Sequence, residues 1–476
     1  MKEFSQSGER DEEMNELLLQ YENLQKGKGI SYLEEESFEK IIEYFELNEE
    51  YKKALQAVNI AIEQFPFSGI LLVRKADLIL NNKQYQTALE LLEQAEIFDN
   101  NNIDIYILKT ETLLALDRQE EAVNLLEDAL VRFSGEERID LLFELADVYD
   151  DFEDFEKVFD CLKLILDQEP TNEEALYKIC FWTDFTGRNA ESIELHQKII
   201  ENHPYNELAW FNLGSAYQGL KLYEKAIDAY KYATAIDEKF EYAYRNIGDA
   251  YIRLRKYKDA IENLEKVVEF SKPEEVIFEA IGFCYERLKN YAQARFYYRK
   301  ASHLNLENSH LVYKVAFTYY KQEMWGQSIK VLETAIRLKP NKPEYELLMG
   351  ECKQAIGMGK DAIQHFLNVV RLKPASVSGW ESLIVCLFKE EYYEQALQKS
   401  EEALSKTEKP LFIYYKTAIL FRLRKNKEAL ICLENALTES PTLVKKLIQL
   451  IPSLLSNPKV ADLIAKFKKK PQRRRK

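Results

Sequence analysis

The feature that most constrains this chain is a recurrence every 34 residues. Anchored on Trp210, the column reads Phe38, Leu72 and Tyr106, then Leu142 after a two-residue insertion. It continues through Leu176, Trp210, Tyr244, Phe278, Val312, Glu346, Trp380 and Tyr414. All but Glu346 are apolar. A second column runs Ala54, Ala88, Ala122, Val158, Ser192, Ala226, Ala260, Ala294, Ser328, Ala362, Ala396 and Ala429, the last repeat being one residue short. Register held this long means that each unit buries its apolar face against its neighbours, so the 476 residues form an array rather than one closed core.

Each unit reads as two helices. In the unit around Trp210 the first spans roughly 207–218, with Trp210, Phe211, Leu213 and Tyr217 as its apolar residues. The second spans roughly 223–236, with Ala226, Ile227, Tyr230 and Ala233 on one face. These are helical spacings. The joining turn, Gly219 to Leu222, is short enough to make the pair antiparallel. Pro66, Pro170, Pro204, Pro340, Pro374 and Pro441 fall at repeat boundaries, where proline stops one helix without interrupting the next. No strand pattern competes, so the fold class is all-α. A third column, Ile42, Ala76, Thr110, Ala146, Cys180, Gly214, Gly248, Gly282, Ala316, Gly350, Ile384 and Ala418, is small in ten of twelve positions. Small residues there predict a close crossing of helices.

The run Trp210, Leu213, Gly214, Tyr217, Ala226, Tyr230 and Ala233 resembles the tetratricopeptide repeat, and the resemblance extends over residues 35–444. It implies a right-handed superhelical α-solenoid of antiparallel helix pairs, and a non-enzymatic scaffold or adaptor that binds protein or peptide segments in a concave groove lined by the first helices. Some units depart from the pattern. Glu346 and Lys353, Thr183 and His196, and Lys75 and Lys109 occupy positions where apolar residues are expected; distortion or a one-residue shift is open to these units, but the period holds through them. A solenoid needs covered ends. Residues 11–24 within the 1–34 segment suit an N-terminal capping helix. Residues 445–465 suit C-terminal capping helices broken at Pro452 or Pro458.

The net charge of −15 is uneven. The basic tail 466–476, KFKKKPQRRRK, leaves an acidic body that repels nucleic acid and anionic membrane. Contact with either would run through that tail, and a regulator tethered by it is the alternative to the scaffold. Six scattered cysteines without a CxxC read as reduced thiols. With no apolar leader at the start, they point to a cytoplasmic chain. No run is long and apolar enough to span a membrane.

Candidate chemistry is thin. GMGKDA (357–362) lacks the first glycine and the Ser/Thr of a phosphate loop and lies in an inter-helix turn. The acid-rich Asp147–Asp160 stretch lacks the glycine and alternate oxygens of a calcium loop. No histidine pair has metal-ligand spacing, and Cys284 and His303 have no orienting third group. Neither a catalytic constellation, a metal, a cofactor nor a small-molecule substrate is expected.

The groove implied by the resemblance is more informative. One first-helix column begins Glu43, Asp77, Glu111 and Asp147, extended by Asp150, Asp151 and Asp184. It then turns aromatic at Phe181, Phe283 and Phe317, with Tyr177, Phe211 and Tyr313 nearby. A neighbouring column supplies Arg253, Arg287 and Lys321. Asn212 and Asn246 stand where some members of the family hold a bound peptide backbone. The expected occupant combines a basic stretch with an acidic or C-terminal one.

Overall fold

The computed structural model describes residues 2–28 and 32–468; most of the basic tail lies outside the described residues. Among these the secondary structure is helical, with no strand. Two compact units divide the chain, 1–237 and 238–476.

In the first unit a helix at Lys2–Gln25 precedes six helix pairs, from Glu35–Leu47 with Tyr51–Gln64 to Glu207–Gly219 with Tyr223–Ile236. Tyr21 of the leading helix is buried, its ring 6.4 Å from Phe38 and 6.1 Å from Phe45. The second unit holds six more pairs, from Glu241–Arg253 with Tyr257–Phe270 to Leu411–Arg422 with Asn426–Glu439. Two terminal helices follow, Val444–Leu450 and Pro458–Lys468, joined by a 3-10 turn at Pro452–Ser456. Val444, Leu447, Leu454, Val460 and Ile464 are buried there against the last repeats. Both prolines begin an element, where their missing N–H costs nothing.

Local chemistry sets the boundaries. Second helices stop at Gln64, Gln168, Asn202, Leu338, Leu372 and Glu439, each two residues before one of the six boundary prolines. First helices end in a left-handed residue: Glu49, Lys83, Asp117, Glu153, Lys221, Arg255, Lys289, Glu323, Glu391 and, in the shorter last repeat, Arg424. Only Gly187 and Gly357 put glycine at that position. In the unit around Trp210 the Lys221 N–H donates to the Gln218 carbonyl at 2.8 Å, and the Leu222 N–H to the Tyr217 carbonyl at 2.9 Å. That is the Schellman pattern. Gly357 sits in the same turn, which accounts for GMGKDA as chain reversal. The two-residue insertion after Tyr106 is absorbed by a lengthened first helix, Glu136–Asp151, which starts at Gly135 with φ 68°.

The small column works differently from a close approach of backbones. A β-carbon on Gly214 would lie 2.6 Å from the ring of Tyr230, on Gly282 2.7 Å from Tyr298, and on Gly350 2.5 Å from Phe366. Each glycine makes room for a large side chain sixteen positions later, on the second helix of its own pair.

In the irregular units around Lys109 and Glu346 the polar residues are paired, and in the unit of Thr183 the first helix packs more on the first helix of the next unit than on its own second helix. Lys109 is buried and ion-paired with Glu96, which also accepts from Tyr106 Oη at 3.2 Å. Burial pushes the Glu96 carboxyl up, but Lys109 outweighs it and holds the group low. Glu346 is buried against His365 Nδ1 at 2.7 Å and Asn368 at 3.4 Å. His196, in the unit of Thr183, is enclosed completely.

Candidate functional site

In the first unit, consecutive first helices carry Glu43, Asp77, Glu111 and Asp147 as successive rungs, and Phe181 as the next. Burial raises the Asp77 and Glu111 carboxyls, and Asp77 adds repulsion on Glu111. Two further acids belong to the same row although the 34-residue column does not pass through them. Glu46 is raised by burial and then by Asp77 and Glu43, against the pull of Arg74 at 3.4 Å. Glu144 is pushed up to about 7, by burial first and then by Glu111 and Asp147. These perturbations require proximity, so the carboxylates share one face. Their helical offset, three residues before Asp147 and three after Glu43, is the signal that would have found them.

Two cations compensate the row, Arg74, whose charge also pulls on Asp77, and Lys178. Arg74 meets Glu46, and Lys178 Nζ lies 3.5 Å from Asp147. Among the described residues Glu43, Asp77, Glu111 and Glu144 have no ion-pair partner. Asp77 lines two adjoining clefts of about 380 and 480 Å³, the first shared with Glu43, Glu46 and Arg74, the second with Ile70, Asn102 and Asp104. Asp150, Asp151 and Asp184 are exposed, and burial of its carboxyl raises Asp184.

Beyond the acids the face becomes aromatic. On the helix Glu173–Thr186, Tyr177, Phe181 and Phe185 recur every four residues and are 60%, 60% and 57% exposed. Phe181 stacks on Phe185 at 6.0 Å and Phe155 stacks on Trp182 at 5.2 Å. Phe185 was not among the residues singled out from the sequence, yet its i+4 offset from Phe181 continues the stripe.

Asn212 does not present its amide to a partner. It is 2% exposed, and its Nδ2 donates to the Leu176 carbonyl at 2.7 Å and faces His196 Nε2 at 3.2 Å. His196 Nδ1 lies 2.7 Å from the Ser192 carbonyl, which can only accept, so that nitrogen carries the proton and Nε2 accepts from Asn212. This node ties three consecutive helices together. Phe211 is half-buried and tilted on Tyr230 at 5.5 Å.

In the second unit the basic column rests largely on rings. Arg253 pairs with Asp249 at 3.5 Å. Arg287 lies over Tyr257 at 5.8 Å and Phe283 at 5.9 Å. Lys321 lies over Phe317 at 4.9 Å and Tyr320 at 5.5 Å. Tyr313 stacks on Phe317 at 6.2 Å and on Tyr345 at 5.0 Å. Asn246 is half-buried. Arg287 and Lys321 thus rest on the aromatic residues predicted as a separate column, whereas Arg253 pairs with an acid.

The thiols are held as thiols. Burial pushes Cys161 and Cys284 up to about 12 and Cys180 and Cys386 up to about 11. No group of three or more metal-ligating side chains is assembled among the described residues. No helix there is long and apolar enough to cross a membrane.

The sequence profiles and the curated relative that match this chain are of tetratricopeptide-repeat type. A tetratricopeptide-repeat sequence profile matches residues 39–103. The profile of the tetratricopeptide repeat protein 21 C-terminal ARM domain matches residues 211–349. A TPR repeat-containing protein of Methanocaldococcus jannaschii is 20% identical over 439 residues, which cover 84% of this chain and 74% of the relative. Among solved structures, the C-terminal part of a TPR repeat-containing protein from Cytophaga hutchinsonii is 17% identical, with a TM-score of 0.43, covering 53% of this chain and 99% of that one. YrrB, described as a TPR protein with an unusual peptide-binding site, is 16% identical with a TM-score of 0.36, over 39% of this chain and 96% of its own.

Proposed function

We propose that this chain, a tetratricopeptide-repeat protein by its matching profiles and relative, is a non-enzymatic scaffold that binds segments of other proteins along the first-helix face of its first unit. The observation that carries the reading is the meeting of two surfaces: unpaired carboxylates at Glu43, Asp77, Glu111 and Glu144, and the exposed stripe of Tyr177, Phe181 and Phe185. Carboxylates half-withdrawn from water attract a lysine or arginine more strongly than fully solvated ones. Exposed aromatics stacked on one another are already ordered and lose little entropy when covered. The occupant this face fits is an extended segment with basic residues followed by an apolar one.

Crosslinking with mass spectrometry on the intact chain in an extract of its own cells tests the reading. Partner crosslinks are expected on the helices that carry the acidic row and the aromatic stripe. The variant Asp77→Lys with Glu111→Lys should lower recovery of the same partners about tenfold, with the loss shrinking at high salt. Recovery that ignores both the charge reversal and salt would overturn it.

A further inference from the structure

The second helix Tyr291–Leu304, in the second unit, reads YAQARFYYRKASHL and contains no acid, whereas every other second helix of the array contains at least one. In a chain of net charge −15 it carries Arg295, Arg299, Lys300 and His303. Among the described residues none of these four has an ion-pair partner; Arg295, Arg299 and Lys300 rest on rings and neutral acceptors. The Arg295 guanidinium lies 4.1 Å from the Tyr319 ring centroid and donates to Gln322 Oε1 at 2.7 Å. Arg299 donates to Tyr319 Oη at 2.8 Å. Lys300 Nζ sits 4.7 Å from the Phe296 ring and 5.1 Å from Phe278. Beside them Pro273, Phe278, Ala292, Phe296 and Leu304 wall a cleft of about 570 Å³, and Phe296 is 50% exposed.

We infer that this face binds a short carboxylate-rich segment of a partner protein that inserts one aromatic or aliphatic side chain between Pro273, Phe278 and Phe296. Charge complementarity is the ground. Arg295, held over the Tyr319 ring, and Arg299, held by its hydroxyl, each keep N–H groups available for carboxylate oxygens. Their aromatic supports hold them in place before binding, which lowers the entropy cost of the complex. The dimensions favour a peptide over nucleic acid. From Arg295 to His303 the helix rises only about 12 Å, enough for two or three carboxylates. A single-stranded nucleic acid needs a basic track of at least about four nucleotides, and this track would run into Glu274 and Glu275 beside Pro273 and into Glu307 beyond Leu304. The face lies on a second helix of the second unit and shares no residue with the acidic row, so its fate and that of the first-helix reading are independent.

The test is fluorescence anisotropy on the intact chain, with a labelled peptide of glutamates around one phenylalanine as probe, compared with the same peptide carrying glycine for phenylalanine. The phenylalanine peptide should bind more tightly, and binding should weaken as sodium chloride rises. The variant R295Q/R299Q/K300Q should lose about tenfold in affinity, three partly exposed charges each contributing a fraction of a decade. Phe296→Ala removes no charge; it should abolish the difference between the two peptides and keeps the test alive if the triple variant unfolds. Four results would overturn the inference: no binding to the intact chain, binding unchanged in both variants, tighter binding of a single-stranded RNA than of the peptide, or self-association that the triple variant abolishes, which would place a second copy on this face.

Discussion

At the scale of single residues, two buried features convert sequence oddities into measurable energies. Gly282 faces the fully buried Tyr298, whose hydroxyl donates to Glu286 at 2.9 Å. Alanine there would gain about 1 kcal/mol of helix propensity and lose about 1–3 kcal/mol to overpacking, so Gly282→Ala should lower the urea midpoint. Gly326 has nothing within 4 Å of its would-be β-carbon, and Gly326→Ala should leave the midpoint unchanged or raise it. His196 supplies a pH dependence. Burial lowers its pKa from 6.5 to about 4, and a second proton on Nε2 would meet the Asn212 amide donor. The folded state therefore resists protonation that the unfolded chain accepts. The contribution of His196 is whole above pH 6.5 and is lost as pH falls from there through about 4, reaching about 3 kcal/mol. Chemical denaturation at pH 7 and pH 5 should show a loss at pH 5 that shrinks in His196→Phe; an unchanged loss would place the dependence elsewhere.

At the scale of elements, the first-helix turn and the acidic row each set an expectation. Ten first helices end in a non-glycine residue with positive φ, a conformation that costs an L-residue about 1–2 kcal/mol and that the Schellman hydrogen bonds hold in place. Lys289→Gly relieves that cost but makes the unfolded chain more flexible, so thermal melting should show a gain of at most about 1 kcal/mol. Lys289→Val, branched at a left-handed position, should be destabilising by at least about 1 kcal/mol. In the acidic row, Glu144 titrates at about 7 in the folded chain against an ordinary 4.5. An acid raised in this way keeps the fold more stable below pH 4.5 and withdraws that stability as pH rises through 7. Glu144→Gln should therefore raise the melting temperature more at pH 8 than at pH 5. A basic segment bound beside Glu144 would favour its ionised form, so its affinity should rise from pH 6 to pH 8 with a smaller rise in the variant.

At the scale of the whole molecule, stability is distributed over local interfaces, because each helix pair packs mainly on its neighbours. The chain forms two compact units, and calorimetry should give an unfolding enthalpy larger than the van't Hoff value, since the units need not melt in one step. A single two-state transition would show that they unfold together. The sequence by itself determined the period, the helical class and the boundaries, because these depend on short-range causes: side-chain periodicity, prolines two residues past a helix end, and turns closed by local hydrogen bonds. It also located the acidic rungs, since residues one period apart occupy equivalent positions. It misjudged Asn212, whose amide is consumed inside the stack, and the units with Glu346 and Lys109, whose polar side chains find His365 and Glu96. It passed over Glu46, Glu144 and Phe185, one helical turn away from the columns it followed, and the acid-free face of Tyr291–Leu304. Only the tertiary structure decided these, because whether a polar residue is spent on packing or left for a partner depends on which groups, distant in sequence, are brought within hydrogen-bonding or Coulombic reach.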